Sequence, residues 1–289
     1  MATLPNPLPR LASDPSGRSL GLQLPPGRLI DGCDASSDGP VLWHAEQAAA
    51  PGNWTALGAR ATRAGLLPVL VDVGGGQGGP EKWELMPGEA SYPGDHDAED
   101  VLADFWEDGA AADAEDEEAD GEADGGEGVW DDETAELLAP FGPDWPGLAP
   151  SPALTMDPLA CAAQVADLLT DGSASWPEKA HLALVPARRS ADIPAALGWP
   201  GPLNHTDDVA RLCAVLRSWE DRFGIRVVAL GFDLLAVSVA APPATADEAE
   251  AVAAEHFAFC PDNITQGPGS LREYARELVG ARVWHFWWD

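Results

Sequence analysis

The run Glu255-His256-Phe257-Ala258-Phe259-Cys260-Pro261-Asp262-Asn263 is dense in groups that can do chemistry. His256 and Cys260 are four residues apart, so on a helix both side chains point the same way. An imidazole beside a thiol can make a Cys nucleophile, and with Glu255 or Asp262 the pair could begin a metal site. The same spacing also fits packing. Ala249, Val252, Ala253, His256, Phe257 and Cys260 form one apolar helical stripe, and free Cys is among the residue types most often buried. A structural zinc site takes ligands in close pairs, and no second pair occurs at that spacing. Core packing is therefore the expected role of His256 and Cys260, with no metal and no cofactor.

A second cluster is Arg217, Glu220, Asp221 and Arg222. Neighbouring helical positions are about 100° apart, so Glu220 and Asp221 cannot both face one substrate. An exposed ion-pair face is the expected arrangement. Trp199, Trp219, Trp284, Trp287 and Trp288 supply area with an indole donor, either to a cleft or to a core. The candidate binding set is Trp199, Asn204, Arg217, Trp219, Arg222 and Trp287. The candidate catalytic set is His256, Cys260, Glu220, Asp221 and Asp262. Asp289 is expected to pair with an arginine such as Arg217 or Arg222.

These residues fall in four closely spaced blocks: LGWPGPLN from Leu197, LRSWEDRFG from Leu216, AAEHFAFCPDN from Ala253 and VWHFWWD from Val283. The blocks resemble a bacterial family of domains of unknown function from high-GC genomes. Its members carry similar Trp-Glu-Asp-Arg-Phe-Gly, Glu-His-x-x-x-Cys-Pro-Asp-Asn and terminal Trp-Trp-Asp signatures. The resemblance implies a domain boundary ahead of this region and a soluble bacterial setting, and carries no activity with it.

The 289 residues allow one or two domains with sizeable cores, and two are expected. The formal net charge is −32, but 27 of the 48 acidic residues lie between Lys82 and Lys179, leaving 21 acidic against 16 basic elsewhere. No basic stripe is present to release counterions from a phosphate backbone, so nucleic acid is excluded as a partner. No apolar run approaches a membrane span, and the proline-punctuated start has no signal-like apolar region. The four cysteines make no CxxC pair, the pattern of free thiols in a cytoplasm.

The positioning elements follow from periodicity. Residues 40–45 and 67–73 read as strands around a helix over 54–64, with 82–86 (KWELM) as an edge strand. Gly74, Gly76 and Gly79 satisfy G-x-G-x-x-G after a strand, but Pro80 and KWELM stand where a dinucleotide site needs a helix, so a flexible loop is expected. A helix over 96–106 runs into Glu107–Gly128, which lacks any aliphatic residue larger than Ala and is expected to be disordered. Further helices are expected over 158–170, 207–222, 246–260 and 270–279. Strands are expected over 181–186, 225–230, 234–240 and 282–288, the last apolar on both faces and hence central.

The expected fold class is α+β. Residues 152–289 are expected to form a ferredoxin-like domain, an antiparallel sheet with helices on one face. Residues 1–96 are expected to be an arm and a smaller α/β unit, and 97–151 an acidic linker and proline-rich connector. The functional expectation is a non-enzymatic cytoplasmic binding or regulatory protein with a protein partner, of the immunity or partner-neutralising kind. The alternative is a hydrolase-like enzyme using His256, Cys260 and a nearby carboxylate. Geometry separates the two, since catalysis needs those groups converging at an open pocket.

Overall fold

The computed structural model describes residues 5–34, 39–118 and 132–289, with 110–118 and 132–133 described by backbone alone. In chain order the elements are α1 (Pro9–Ser13), β1 (Gly27–Asp31), β2 (Pro40–Ala48), α2 (Asn53–Arg63), β3 (Leu67–Asp72), α3 (Ala98–Glu118), α4 (Asp132–Leu137) and α5 (Pro158–Thr170). They continue with β4 (Ala180–Val185), α6 (Ile193–Leu197), α7 (Val209–Phe223), β5 (Arg226–Leu230), β6 (Leu234–Ser238), α8 (Ala246–Phe259), α9 (Asp262–Thr265), α10 (Leu271–Leu278) and β7 (Val283–Trp287).

The α+β class stands, with helices packed on a seven-stranded mixed sheet of order β1-β2-β4-β3-β5-β6-β7. The β3 and β5 strands run parallel, and every other pair is antiparallel. One side of the sheet packs on α2 and α5 through Trp54, Leu57, Val165 and Leu169. The opposite side packs on α3, α6, α7, α8 and α10 through Phe105, Leu197, Trp219, Phe257 and Leu278.

This arrangement corrects the four-stranded ferredoxin-like plan in two respects. First, β3 lies between β4 and β5, so the sheet runs continuously through strands from both halves of the chain. The reason is burial. All of β4 and all but the first residue of β3 are buried, as expected of strands with a neighbour on each edge and a layer on each face. Second, helices cover both faces of the sheet. The expected boundary near residue 152 therefore cuts the sheet between β3 and its two neighbours.

Three local expectations also change. Lys82–Met86 forms a loop whose Trp83 and Leu85 are buried, and β1 takes the edge instead. The last strand, β7, is an edge strand: Trp284 and Phe286 are buried, while His285 between them is exposed. Finally, α3 continues through Glu118 into the acidic run. The remainder of the expected disordered segment, 119–128, lies outside the described residues.

Helix ends follow local chemistry. The Asp208 carboxylate accepts from Ala210 N to start α7, and Gly224, at φ 63°, ends it in a conformation that suits glycine. Thr245 caps α8 by accepting from Glu248 N, while the Glu248 carboxylate accepts from Ala244 N. This is a capping box shifted by one residue in its return bond.

Candidate functional site

The His256 ring is fully buried and flanked by Trp219, Trp284 and Phe286, with ring centroids 5.0, 4.6 and 4.8 Å away. Its Nδ1 lies 3.0 Å from the Tyr274 hydroxyl, which accepts from Asn263 Nδ2 at 3.2 Å. His256 Nδ1 and the Tyr274 hydroxyl thus share one hydrogen, and Nε2 faces the aromatic rings with no hydrogen-bond partner among the described residues. Burial alone pulls the His256 pKa down from 6.5 to about 3.

Cys260 is equally buried, and its thiol donates to the Trp287 carbonyl oxygen at 2.9 Å. Burial pushes its pKa up, against the trend a nucleophile needs. The imidazole and the thiol each have a separate partner, and no hydrogen bond joins them. Both are core residues, as the apolar stripe indicated.

The candidate carboxylates do not converge on His256. Glu220 accepts from Ala191 N at 2.9 Å and lies near Arg189 and Arg226. Asp221 pairs with Arg189 at 2.5 Å. Asp262 accepts from Asp289 N and from the Gln266 amide. The expected pairing of Asp289 with Arg217 or Arg222 is not formed, because those arginines are engaged by Asp192 and Glu255.

The binding set divides. Arg222 and Trp219 point inward to Glu255, which is fully buried. Arg222 forks onto Glu255 at 2.7 and 2.5 Å, and Trp219 Nε1 and Ala149 N each donate to it at 2.6 Å. This closed network ties α7, α8 and the chain ahead of α5 together, and a buried carboxylate requires such partners. The signal for Glu255 was its place beside His256 on a buried helix. Trp199 is buried too, donating to Gly231 O at 2.9 Å and meeting Trp288 edge-on. Trp287 is half-buried, and its backbone serves Asn263 and Cys260. Asn204 is exposed on the turn that follows Trp199.

Of the set, Trp199 borders only a small cavity of about 30 Å³, whereas Arg217 lines a large accessible one. Because β4 runs antiparallel to β3, and β3 parallel to β5, the loop leaving β4 emerges at the end of the sheet where β3 and β5 begin. That end of the sheet gathers Arg188, Arg189, Arg217 and Arg226. Arg217 Nε donates to Asp192 at 2.5 Å, and its guanidinium lies 5.0 Å from the centre of the Tyr92 ring. The bond to Asp192 is the main cause of a raised Arg217 pKa. For Arg189, burial pulls the pKa down, but the bond to Asp221 and the charges of Glu220, Asp221 and Asp192 outweigh it, so the net shift is upward.

Two cavities flank this loop. One, of about 580 Å³, is lined by Ser91, Tyr92, Arg188, Asp192 and Arg217 among others. The other, of about 460 Å³, lies between α2 and α5 and reaches Arg188, Arg189 and Arg226. The chain at Tyr92 is fixed by Ser91 N donating to Asp208 and Asp95 N donating to Tyr92 O, and a few residues earlier it closes on Gly198. Met86 N donates to Gly198 O, and a Cβ at Gly198 would lie 2.0 Å from the Met86 carbonyl carbon. Sequence reasoning missed Tyr92, Arg188, Arg189 and Arg226. The available signal was an adjacent arginine pair in a chain with only 16 basic residues.

The glycine-rich loop is occupied by the protein's own acids. Asp72 accepts from Gly74 N, Glu178 N and Lys179 N, and Glu178 accepts from Gly75 N. Among the described residues, no group of three or more His, Cys, Asp or Glu is placed to hold a metal ion. No helix among them is long and apolar enough to cross a membrane.

No curated protein and no solved structure matches the chain. A family model does match part of it: residues 181–289, from His181 on β4 to Asp289, are similar to the family described as Domain of unknown function (DUF4253).

Proposed function

We propose that this protein acts by binding a protein partner, and that the arginine-lined end of the sheet is its recognition surface. One observation carries the reading: Tyr92, 44% exposed, stacks on an Arg217 guanidinium held in place by Asp192, beside an open cavity of about 580 Å³. Tyr and Arg are enriched among residues that dominate binding energy, and here both are presented in a fixed arrangement. The burial of His256 and Cys260, together with the dispersal of Glu220, Asp221 and Asp262, supports binding over the hydrolase alternative. Four free thiols fit a reducing compartment such as a cytoplasm, the setting in which we place a binding protein of the regulatory, partner-neutralising kind.

The test is affinity capture from the source cells with tagged wild type, Tyr92→Ala and Leu168→Ala, the last an exposed apolar residue on α5 at the opposite face. Wild type and Leu168→Ala should recover the same partner. Tyr92→Ala should weaken it by about 2 kcal/mol, roughly thirtyfold. Equal recovery with Tyr92→Ala would contradict the proposal.

A further inference from the structure

The groove of about 460 Å³ between α2 and α5 lies on the face of the sheet away from Tyr92; α2, α5 and the start of β3 give it an apolar lining, and the loop after β4, α7 and the start of β5 give it charged groups. Gly58 and Thr62 on α2 face Leu159 and Ala163 on α5, over Leu67 and Pro68 at the start of β3. Leu159 is 67% exposed, and such an exposed aliphatic residue beside a groove lacks the cover that a ligand can supply. The volume falls within the usual range of small-ligand sites, about 300 to 1,000 Å³.

The charged groups are Arg188, Arg189 and Arg226 with the carboxylate of Glu220. Arg226 uses one nitrogen internally: Nη1 donates to Ile225 O and lies 3.7 Å from Glu220 Oε1. Its Nε and Nη2 make no hydrogen bond to any described residue. Those two N–H groups form the edge of a guanidinium that matches both oxygens of a carboxylate. A dianionic phosphate suits the site less well, because Glu220 would repel its second charge.

We infer that this groove binds a small monocarboxylate with an apolar tail, its carboxylate on the Nε and Nη2 edge of Arg226 and its tail between α2 and α5. The tail half of this groove lies on the opposite face of the sheet from Tyr92, while its carboxylate end shares Arg188, Arg189 and Arg226 with the arginine-lined end proposed for partner recognition; octanoate titration of the isolated protein reads the groove without any partner.

The test is calorimetric titration of the full chain with sodium octanoate and, separately, with 1-octanol, which has the same tail and no charge. Octanoate should bind saturably at one site, with octanol at least about tenfold weaker. Arg226→Gln should weaken octanoate about tenfold or more and leave octanol unchanged, whereas Ala163→Leu, which fills the groove, should weaken both. Melting curves establish that each variant folds. Ala163 is only partly buried on a helix and tolerates Leu, so it serves if Arg226→Gln is unstable. No saturable octanoate binding, equal affinity for octanol, or unchanged affinity in either folded variant would overturn the inference.

Discussion

At the residue scale, His256 is where the chemistry suggested by spacing and the structure differ most plainly. Its ring supports Tyr274 and fills space among Trp219, Trp284 and Phe286. Replacing His256 by Ala should lower stability at pH 7.5 by about 1 to 4 kcal/mol, from lost packing and an unpaired Tyr274 hydroxyl. The pH dependence gives a second signature. The folded pKa is lowered to about 3 against 6.5 for the free side chain, so the unfolded state takes up the proton first. The contribution of neutral His256 is therefore complete above pH 6.5 and is lost as pH falls toward 3, at up to about 1.4 kcal/mol per pH unit. The wild-type advantage over the Ala variant should narrow accordingly in denaturant titrations between pH 7 and 4.5. A gap that stayed constant would mean that the imidazole is not buried in its neutral form. The core role was legible in the sequence because His256 falls on an apolar stripe. The Glu255 network was not, because its partners Ala149 and Arg222 come from distant segments.

At the element scale, the sheet is assembled from both halves of the chain. Without β3, the facing edges of β4 and β5 have no neighbour, and their ladder groups are left unpaired. The fragment 152–289, which begins after β3, is therefore expected not to unfold cooperatively by itself. Adding residues 1–151 as a separate chain should restore a transition, measured by denaturant titration. Cooperative unfolding of the fragment at the midpoint of the full chain would contradict this. Element type was readable from local pattern: α5 begins and ends where its periodicity does, and β5 and β6 pair as the short Gly231-Phe232-Asp233 connection requires. Strand order was not readable, because an insertion of β3 depends on which buried strands need two neighbours, and apolar runs look alike locally. The outer position of β7 shows the same ambiguity, since its alternating burial was masked by tryptophans on both faces.

At the scale of the whole molecule, this topology joins Tyr92, Arg188, Arg189, Arg217 and Arg226 at one end while enclosing His256 and Cys260 in a continuous aromatic core. The residues of that end are separated in sequence by the acidic stretch and several elements, so spacing gave no sign of their meeting. The proposed division of labour, with a structural His256–Cys260 pair and recognition at the arginine end, rests on the core being closed. Alkylation of the native protein at pH 8, followed by mass spectrometry site by site, tests this most directly. Cys33 is exposed and should be modified at the rate of a free thiol, whereas buried Cys260 should react only as fast as the protein opens. Modification of native Cys260 as rapid as that of Cys33 would contradict the closed core and return His256 and Cys260 to candidacy as an active pair.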